Sequence, residues 1–210
     1  MASVAAQQHI STVVFDFGGV LIAWDPRHLY RKIFDDPAEM EWFLAEVCNG
    51  AWNLAQDEGR PWADAEAEAI ARHPGYATQI RAYRARWHEM VPGPIAGSVT
   101  LLERLAEAGV PLYAITNFAA DTLRETREKY TFFRHFRGIV VSGEVGLLKP
   151  DPAIFRRLAD DHGVELSSAL FIDDVAKNVA AAGAAGMQAI HFSSPAELED
   201  RLVALGVPLV

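Results

Sequence analysis

Short apolar runs alternate with amphipathic stretches along the second half of the chain, and this alternation constrains the possible folds more than any other feature. Apolar runs at 111–116, 138–141, 169–173 and 188–192 predict strands, and the stretches between them predict helices. Strands separated by helices imply right-handed crossovers, which place the strands parallel in one sheet. A further apolar run at 12–16 is expected to join them, so the sequence predicts an α/β fold.

Local signals predict where several helices begin and end. Ser98 is expected to cap a helix that stops at Gly109, and Asp151-Pro152 is expected to begin one that ends near Gly163. Three further helices are predicted at 121–129, 176–185 and 195–205.

Residues 26–91 have a different character. They contain no convincing strand pattern and carry Ala, Glu, Arg and Trp at helical spacing. Asp36-Pro37 and Arg60-Pro61 are each expected to begin a helix, because proline is favoured in a first helical turn. Residues 50–59, which have a glycine at each end, are predicted to form a loop. The segment 26–91 is therefore predicted to be a small all-helical domain inserted into an α/β core of residues 1–25 and 92–210.

Composition limits the classes of partner. The chain has 210 residues and a formal net charge of −9, which argues against nucleic acid or an anionic membrane surface as a partner. The single cysteine, Cys48, excludes an internal disulfide and a thiolate metal cluster. No segment approaches the ~20 consecutive apolar residues of a membrane span, and residues 1–11 lack the pattern of a signal peptide. We therefore expect a cytoplasmic protein, either a monomer or a homodimer.

Polar side chains follow the predicted strands at the points where the strands end. Each alone has an ordinary reading as a helix cap, a turn residue or a solvated lysine. Their shared placement favours chemistry, because ligands bind beyond the carboxyl ends of strands in open parallel sheets. The residues concerned are Asp16 after the first strand, Thr116 and Asn117 after the second, Lys149 after the third, and Asp173 and Asp174 after the fourth.

These residue types suit phosphoryl transfer assisted by a hard metal ion. Asp16 is the candidate nucleophile, because a carboxylate that attacks phosphorus divides hydrolysis into two easier steps. Asp16, Asp174 and the backbone carbonyl of Gly18 are candidate Mg²⁺ ligands, since Mg²⁺ prefers oxygen ligands. The predicted cofactor is therefore Mg²⁺.

Other residues have predicted roles around the phosphate. The Thr116 hydroxyl and the Asn117 N–H are candidates to hold phosphate oxygens, and Gly19 is a further candidate for substrate contact. Lys149 would balance the negative charge, with Asp173 orienting it. Asn178, one helical turn after Asp174, is expected to point back toward the site.

Four segments contain these candidates: FDFGGVL at 15–21, ITN at 115–117, KP at 149–150 and FIDDVAKN at 171–178. In this order and spacing they resemble the four motifs of the haloacid dehalogenase (HAD) superfamily of hydrolases. The resemblance implies a Rossmann-like three-layer fold with strand order 5-4-1-2-3. It also implies that the helical segment 26–91 is a cap that closes over the site and selects the substrate.

By the same resemblance, residues 50–59 reach toward the substrate. Trp52 and Asn53 are then candidate substrate-binding residues, and Asp57 is a third residue of interest. The residues themselves favour a different reading for two of them, with Trp52 in the core of the cap and Asp57 as a solvated turn residue.

One position departs from the family pattern. Phosphatases of the superfamily typically carry an aspartate, the general acid and base, two residues after the nucleophile, where this chain has Gly18. Asp25, His28, a cap residue or water could replace it. A sugar 1-phosphate would need less help, because its leaving oxygen is better than an ordinary alkoxide.

Three functions follow as hypotheses. The first is a Mg²⁺-dependent phosphatase that acts on a small phosphorylated metabolite, such as a sugar phosphate, through an aspartyl-phosphate on Asp16. The second is a metal-independent 2-haloacid dehalogenase with Asp16 as nucleophile, which would not need the missing acid. The acids at Asp173 and Asp174 favour the first, because dehalogenation gains nothing from a Mg²⁺ site. The third is a catalytically silent binding protein of the same fold.

Overall fold

The computed structural model describes residues 9–210, so the first eight residues of the predicted core lie outside the described part of the chain. The strands are β1 (Thr12–Phe15), β2 (Ile22–Ala23), β3 (Gly93–Pro94), β4 (Leu112–Thr116), β5 (Phe136–Val141), β6 (Ala169–Asp173) and β7 (Gln188–His191). The α-helices are α1 (Arg27–Tyr30), α2 (Pro37–Glu46), α3 (Gly50–Asp57), α4 (Trp62–Arg72), α5 (Ala77–Ala85), α6 (Ala96–Glu107), α7 (Ala120–Arg127), α8 (Ser142–Val145), α9 (Pro152–His162), α10 (Ala176–Ala184) and α11 (Pro195–Ala204).

A parallel sheet organises the fold. Its five strands, within residues 9–210, lie in the order β5-β4-β1-β6-β7. When these five are numbered along the chain, the order read from the β7 edge is 5-4-1-2-3, so the predicted fold class is confirmed. Strand β1 is central, with Val13 beside Leu112 of β4 and Leu170 of β6. All of its residues are buried because helices cover both faces of the sheet.

The signals at helix ends were correct for both ends of α9 and for the end of α6 just before Gly109, but wrong for the start of α6. The Asp151 side chain accepts from the Ala153 N–H, and Gly163 ends α9 with a φ of +66°. Ser98 instead lies buried inside α6, which begins at Ala96 and lacks a side-chain cap in the described chain. The start of α6 is set by the backbone, because the Ile95 N–H donates to Leu21 O at 2.9 Å.

The loop predicted at 50–59 is wrong, because residues Gly50–Asp57 form α3. The Asn49 side chain accepts from the Trp52 N–H at 2.8 Å and so caps the helix. Gly50 occupies the first turn, where it does not interrupt the helix. Gly59, with a φ of +113°, follows its end.

All regular elements described between β2 and β3 are helices, and we call residues 27–90 the helical insert. Its two ends meet where β2 pairs antiparallel with β3, which places Ile22 opposite Pro94. No helix between residues 9 and 210 combines the length and the apolar character that crossing a bilayer requires.

Candidate active site

Asp16 lies at the carboxyl end of the central strand. Its backbone N–H donates to Ile172 O at 2.9 Å, so that pairing with β6 continues one residue beyond β1. The residue is 7% exposed. Its Oδ1 accepts from the Phe17 N–H at 2.7 Å and lies 2.8 Å from Lys149 Nζ. The carboxylate is therefore fixed on one oxygen.

Lys149 is almost fully buried and connects two acids. Its Nζ lies 2.8 Å from Asp16 Oδ1 and 2.7 Å from Asp173 Oδ2. Burial acts to lower the pKa of this ammonium group, but the two carboxylates outweigh that effect and raise it. Lys149 therefore stays protonated and supplies a permanent positive charge.

Asn117 holds the lysine through the backbone. Its Oδ1 accepts from the Lys149 N–H at 2.8 Å, and its Nδ2 donates to Lys149 O at 3.0 Å. The sequence predicts a role for the Asn117 backbone N–H but not this role of its side chain. A contact between two loop residues 32 positions apart has no local signal in the sequence.

Asp173 is fully buried and orients the lysine. Its Oδ1 accepts from the Val175 N–H at 2.8 Å, and the Asn178 Nδ2 lies 3.0 and 3.1 Å from its two oxygens. Asn178 thus points back toward the site, as expected, and acts on Asp173. With Lys149 and Asn178 on its oxygens, Asp173 is a supporting residue for the lysine.

The acids at the strand ends fit a divalent cation. Asp16, Asp173 and Asp174 each offer a carboxylate oxygen, and these oxygens lie within 4.8 Å of one another. If all three were ionised, they and the Lys149 ammonium would carry a net charge of −2. Burial raises the pKa of Asp16, with Lys149 opposing this and Asp173 adding to it, and burial likewise raises the pKa of Asp174. A divalent cation would remove this strain by neutralising the excess charge.

Gly19 makes room for one of these acids. A Cβ on Gly19 would lie 2.6 Å from Asp174 Cγ and closer still to Oδ2. The positive φ of Gly19, +72°, is also a conformation that glycine adopts without strain. Gly18 lines the cleft beside it, which keeps its carbonyl a candidate ligand.

A cleft of about 320 Å³ opens above the acids. The predicted residues Asp16, Gly18, Gly19, Asn53, Asn117, Lys149 and Asp174 all line it. Its apolar wall includes Trp24, stacked on Trp87 at 6.0 Å between ring centroids, and Phe118, edge-on to Trp87 at 5.7 Å. A larger open groove of about 670 Å³ lies beside α7, but the predicted site residues are not among its lining residues in the described chain.

Thr116 ends β4, directly before the cleft-lining Asn117; its side chain is buried and it is not among the described residues that line the cleft. In the described structure its Oγ1 has no hydrogen-bond partner, which is costly for a buried hydroxyl. A phosphate oxygen could accept a hydrogen bond from this hydroxyl. The phosphate contact of Thr116 stays a prediction, and the unpartnered hydroxyl supports it.

Trp52 lies in the core of the helical insert. Its ring packs edge-on against Tyr83 at 5.0 Å and Trp62 at 5.9 Å, and its Nε1 donates to Ala65 O at 3.4 Å. Among the described residues that line the cleft, Trp52 is absent. The structure thus separates it from its neighbour Asn53, because successive helix positions face different directions.

Asp57 differs most from its sequence interpretation. The residues alone favour a solvated turn residue, whereas the family resemblance points toward the substrate; Asp57 is 7% exposed and lines the cleft. Its Oδ1 accepts from the Ala119 N–H at 3.1 Å, and its Oδ2 accepts from Asn53 Nδ2 at 2.9 Å. Burial raises its pKa to about 7, with the Ala119 N–H opposing and Asp16 adding to the shift. The spacing of four residues between Asn53 and Asp57 was the available sequence signal. It predicts a contact between the two side chains only if this segment is a helix.

Asp25 and His28, the two residues named as possible replacements for the missing acid, lie elsewhere. Asp25 accepts from the Arg27 N–H at 2.9 Å, its side chain is 36% exposed, and His28 is exposed. Neither is among the described residues that line the cleft.

This chain is similar in sequence to known hydrolases. The profile of a family of haloacid dehalogenase-like hydrolases matches residues 10–186. A sesquiterpene phosphatase of Aspergillus oryzae is 27% identical over 86% of this chain and 88% of its own. A phosphoglycolate phosphatase of Rhodospirillum rubrum is 34% identical over 56% of this chain and 51% of its own, so this alignment spans about half of that relative.

Solved structures show the same fold. A HAD family enzyme from Bacteroides thetaiotaomicron, in complex with magnesium and inorganic phosphate, has a TM-score of 0.65 and 23% identity over 88% of this chain and 95% of that one. An L-2-haloacid dehalogenase from Xanthobacter autotrophicus has a TM-score of 0.61 and 19% identity over 94% of this chain and 84% of that one.

Proposed function

Because this chain belongs to the haloacid dehalogenase-like hydrolases, we propose that it is a Mg²⁺-dependent phosphatase of a small phosphomonoester. One observation carries the proposal: Asp16 and Asp174 lie in a cluster of three acids at the strand ends, with Lys149 as a counter-ion. Two supports come from similar proteins. Several relatives are named phosphatases, and the fold of the Bacteroides enzyme holds magnesium and phosphate.

Asp16, Asp174 and the Gly18 carbonyl would hold the ion. When bound, Mg²⁺ supplies charge neutralisation for the nucleophile and the phosphate, which otherwise repel each other. The residues fit this role because Asp173, the third acid, already has Lys149 and Asn178 on its oxygens.

The chain's own residues then perform the transfer. The Asp16 carboxylate attacks phosphorus and forms an aspartyl-phosphate, and water later attacks that phosphorus and returns the carboxylate. Lys149 stays protonated and faces the charge that develops on the phosphate oxygens. The unpartnered Thr116 Oγ1 would donate to one of those oxygens, and the backbone N–H of Asn117 would donate to another.

The helical insert would act as the cap. Asn53 and Asp57 of α3 and Trp87 face the same cleft as Asp16, so the insert covers the reacting group. Trp24, Trp87 and Phe118 give the cleft an apolar wall, against which the organic part of the substrate would pack. The class therefore includes sugar phosphates and esters with more apolar leaving groups.

A panel of phosphate esters tests the proposal. Wild-type protein is incubated with MgCl₂ or with EDTA, and phosphate release is measured. We expect release that needs Mg²⁺ and that Asp16→Asn abolishes, whereas Asp35→Asn, an exposed control, leaves it unchanged. Phosphate release that persists equally in EDTA or in Asp16→Asn would overturn the proposal.

The same experiment separates the alternative functions. Including 2-chloropropionate and measuring chloride tests the dehalogenase hypothesis, whose outcome would be chloride release that does not need metal. Silence on every ester and on 2-chloropropionate would favour the binding-protein hypothesis.

A further inference from the structure

The proposed reaction needs a proton donor that the first motif does not supply. When the bond between phosphorus and the leaving oxygen breaks, that oxygen becomes an alkoxide unless a proton reaches it. Gly18 has no side chain to provide one. Loss of a general acid typically lowers rates by ~10²–10⁴, so an alternative donor in the cleft would have a large effect.

Asp57 is placed where such a donor is required. It lines the cleft together with Asp16 and Lys149, although it comes from the helical insert. The Ala119 N–H and Asn53 Nδ2 each donate to one of its oxygens, which fixes the carboxyl group in position. A carboxyl oxygen has two lone-pair positions, so these contacts leave room for a proton.

The other acids that line the cleft have a different proposed role. Within the described residues these acids are Asp16 and Asp174, the proposed metal ligands. The titratable side chains whose electrostatic influence couples to Asp57 are Asp16 and Tyr83, neither of which brings a positive charge. Since burial raises the pKa of Asp57 to about 7, it can hold a proton near neutral pH and release it there.

We propose that Asp57 is the general acid and base of this enzyme, supplied by the helical insert in place of the residue missing at Gly18. The inference rests on the proposed phosphatase function. In the first step Asp16 attacks phosphorus, the bond from phosphorus to the leaving oxygen breaks, and that oxygen takes the electron pair and the Asp57 proton. In the second step the Asp57 carboxylate takes a proton from water as the water oxygen bonds to phosphorus. The bond from phosphorus to Asp16 then breaks, its electron pair returns to the carboxylate, and inorganic phosphate leaves.

The contacts of Asp57 join the insert to the core. Ser142 Oγ donates to the Asp57 backbone carbonyl and accepts from the Phe118 N–H at 2.9 Å. The Ala119 N–H from the same loop of the core holds the Asp57 side chain. The acid is therefore held in place by contacts with the core.

Two esters with different leaving groups test this role. p-Nitrophenyl phosphate releases a stable anion and needs no proton in the first step, whereas β-glycerophosphate releases an alkoxide that does. Each is given, with MgCl₂, to wild type, Asp57→Asn and Glu58→Gln. Glu58 is the matched control, because it is the exposed acid next to Asp57. Asp57→Asn should fold, since the unpartnered Asn53 Oδ1 can accept from the new amide when the Asn53 side chain flips.

The expected result depends on the leaving group. Asp57→Asn should hydrolyse β-glycerophosphate ~10²–10⁴-fold more slowly than wild type. On p-nitrophenyl phosphate it should give a burst of p-nitrophenolate equal to the enzyme concentration, followed by slow turnover, because only the water step needs the base. Glu58→Gln should match wild type on both.

Other outcomes overturn the inference in distinguishable ways. Equal losses on both esters without a burst would mean that Asp57 has a structural role, and an active Asp57→Asn would mean that it has none in proton transfer. If wild type itself released no phosphate from either ester, the proposed function would fail first, and this inference with it.

Discussion

Gly19 is a glycine for two structural reasons, its positive φ and the close approach of Asp174, and Gly19→Ala separates their effects. The Gly19 φ of +72° is left-handed, and an L-residue there costs about 1–2 kcal/mol. Its new Cβ would also fall 2.6 Å from Asp174 Cγ, so the Asp174 carboxylate must move. Asp174 is exposed, and its side chain can rotate away. The backbone conformation should therefore dominate the loss of stability, and the displaced Asp174 should dominate the loss of metal affinity.

The size of both effects follows from the structure. In a chain of this length 1 kcal/mol lowers the melting temperature by about 2–4 °C, so Gly19→Ala should melt roughly 2–8 °C below wild type. The stabilisation that saturating Mg²⁺ gives to wild type should shrink or vanish, because one of its proposed ligands has moved.

Gly18→Ala is the matched control. A Cβ on Gly18 meets nothing within 4 Å, and its φ is not positive. Thermal unfolding of wild type and both variants, with EDTA and with MgCl₂, measures both the change in stability and the change in stabilisation by Mg²⁺. If Gly19→Ala and Gly18→Ala respond to Mg²⁺ as wild type does, Asp174 does not bind the ion as we describe.

Three further predictions follow from the same contacts. Lys149→Met should lower the free energy of unfolding by about 3–5 kcal/mol in urea titrations, because it leaves Asp16 and Asp173 buried without their counter-ion; a loss below 1 kcal/mol would contradict the buried bridge. The raised pKa of Asp57 contributes stability below pH 3.8 that is lost as pH rises through about 7, so the fall in melting temperature from pH 5 to pH 8 should be smaller in Asp57→Asn than in wild type. Gly18→Asp added to Asp57→Asn should recover on the order of tenfold in β-glycerophosphate hydrolysis, since the Gly18 position is open; no recovery would show that an acid there cannot reach the leaving oxygen.

The sheet was predictable because its signals are local. Each core strand is a short apolar run, and the run at 169–173 has the observed bounds of β6. Parallel pairing and the family resemblance then gave the strand order. Ser98 shows the limit of local reasoning, because a serine near a helix start suggests a cap, whereas the actual start of α6 is decided by a backbone bond to Leu21.

Asp16, Lys149 and Asp173 were also accessible from sequence, since strand ends of a parallel sheet must share an edge. Their contacts at 2.8 and 2.7 Å follow the predicted pattern of a lysine between two acids. Asn117 was predicted as a site residue because it directly follows a strand. Its hydrogen bonds to the Lys149 backbone are visible only in the tertiary structure. These hydrogen bonds depend on how two loops meet, which no spacing along the chain specifies.

The sequence by itself determined the parallel sheet and the acids at its edge, because both follow from periodicity and from the geometry that all parallel sheets share. Only the tertiary structure decided what Asp57 is. Its burial, its raised pKa and its place in the cleft come from packing between the helical insert and the loop at Ala119. From the sequence alone, an acid next to a glycine turn is expected to be exposed to solvent. It becomes a candidate for chemistry when a distant part of the chain packs against it and buries it.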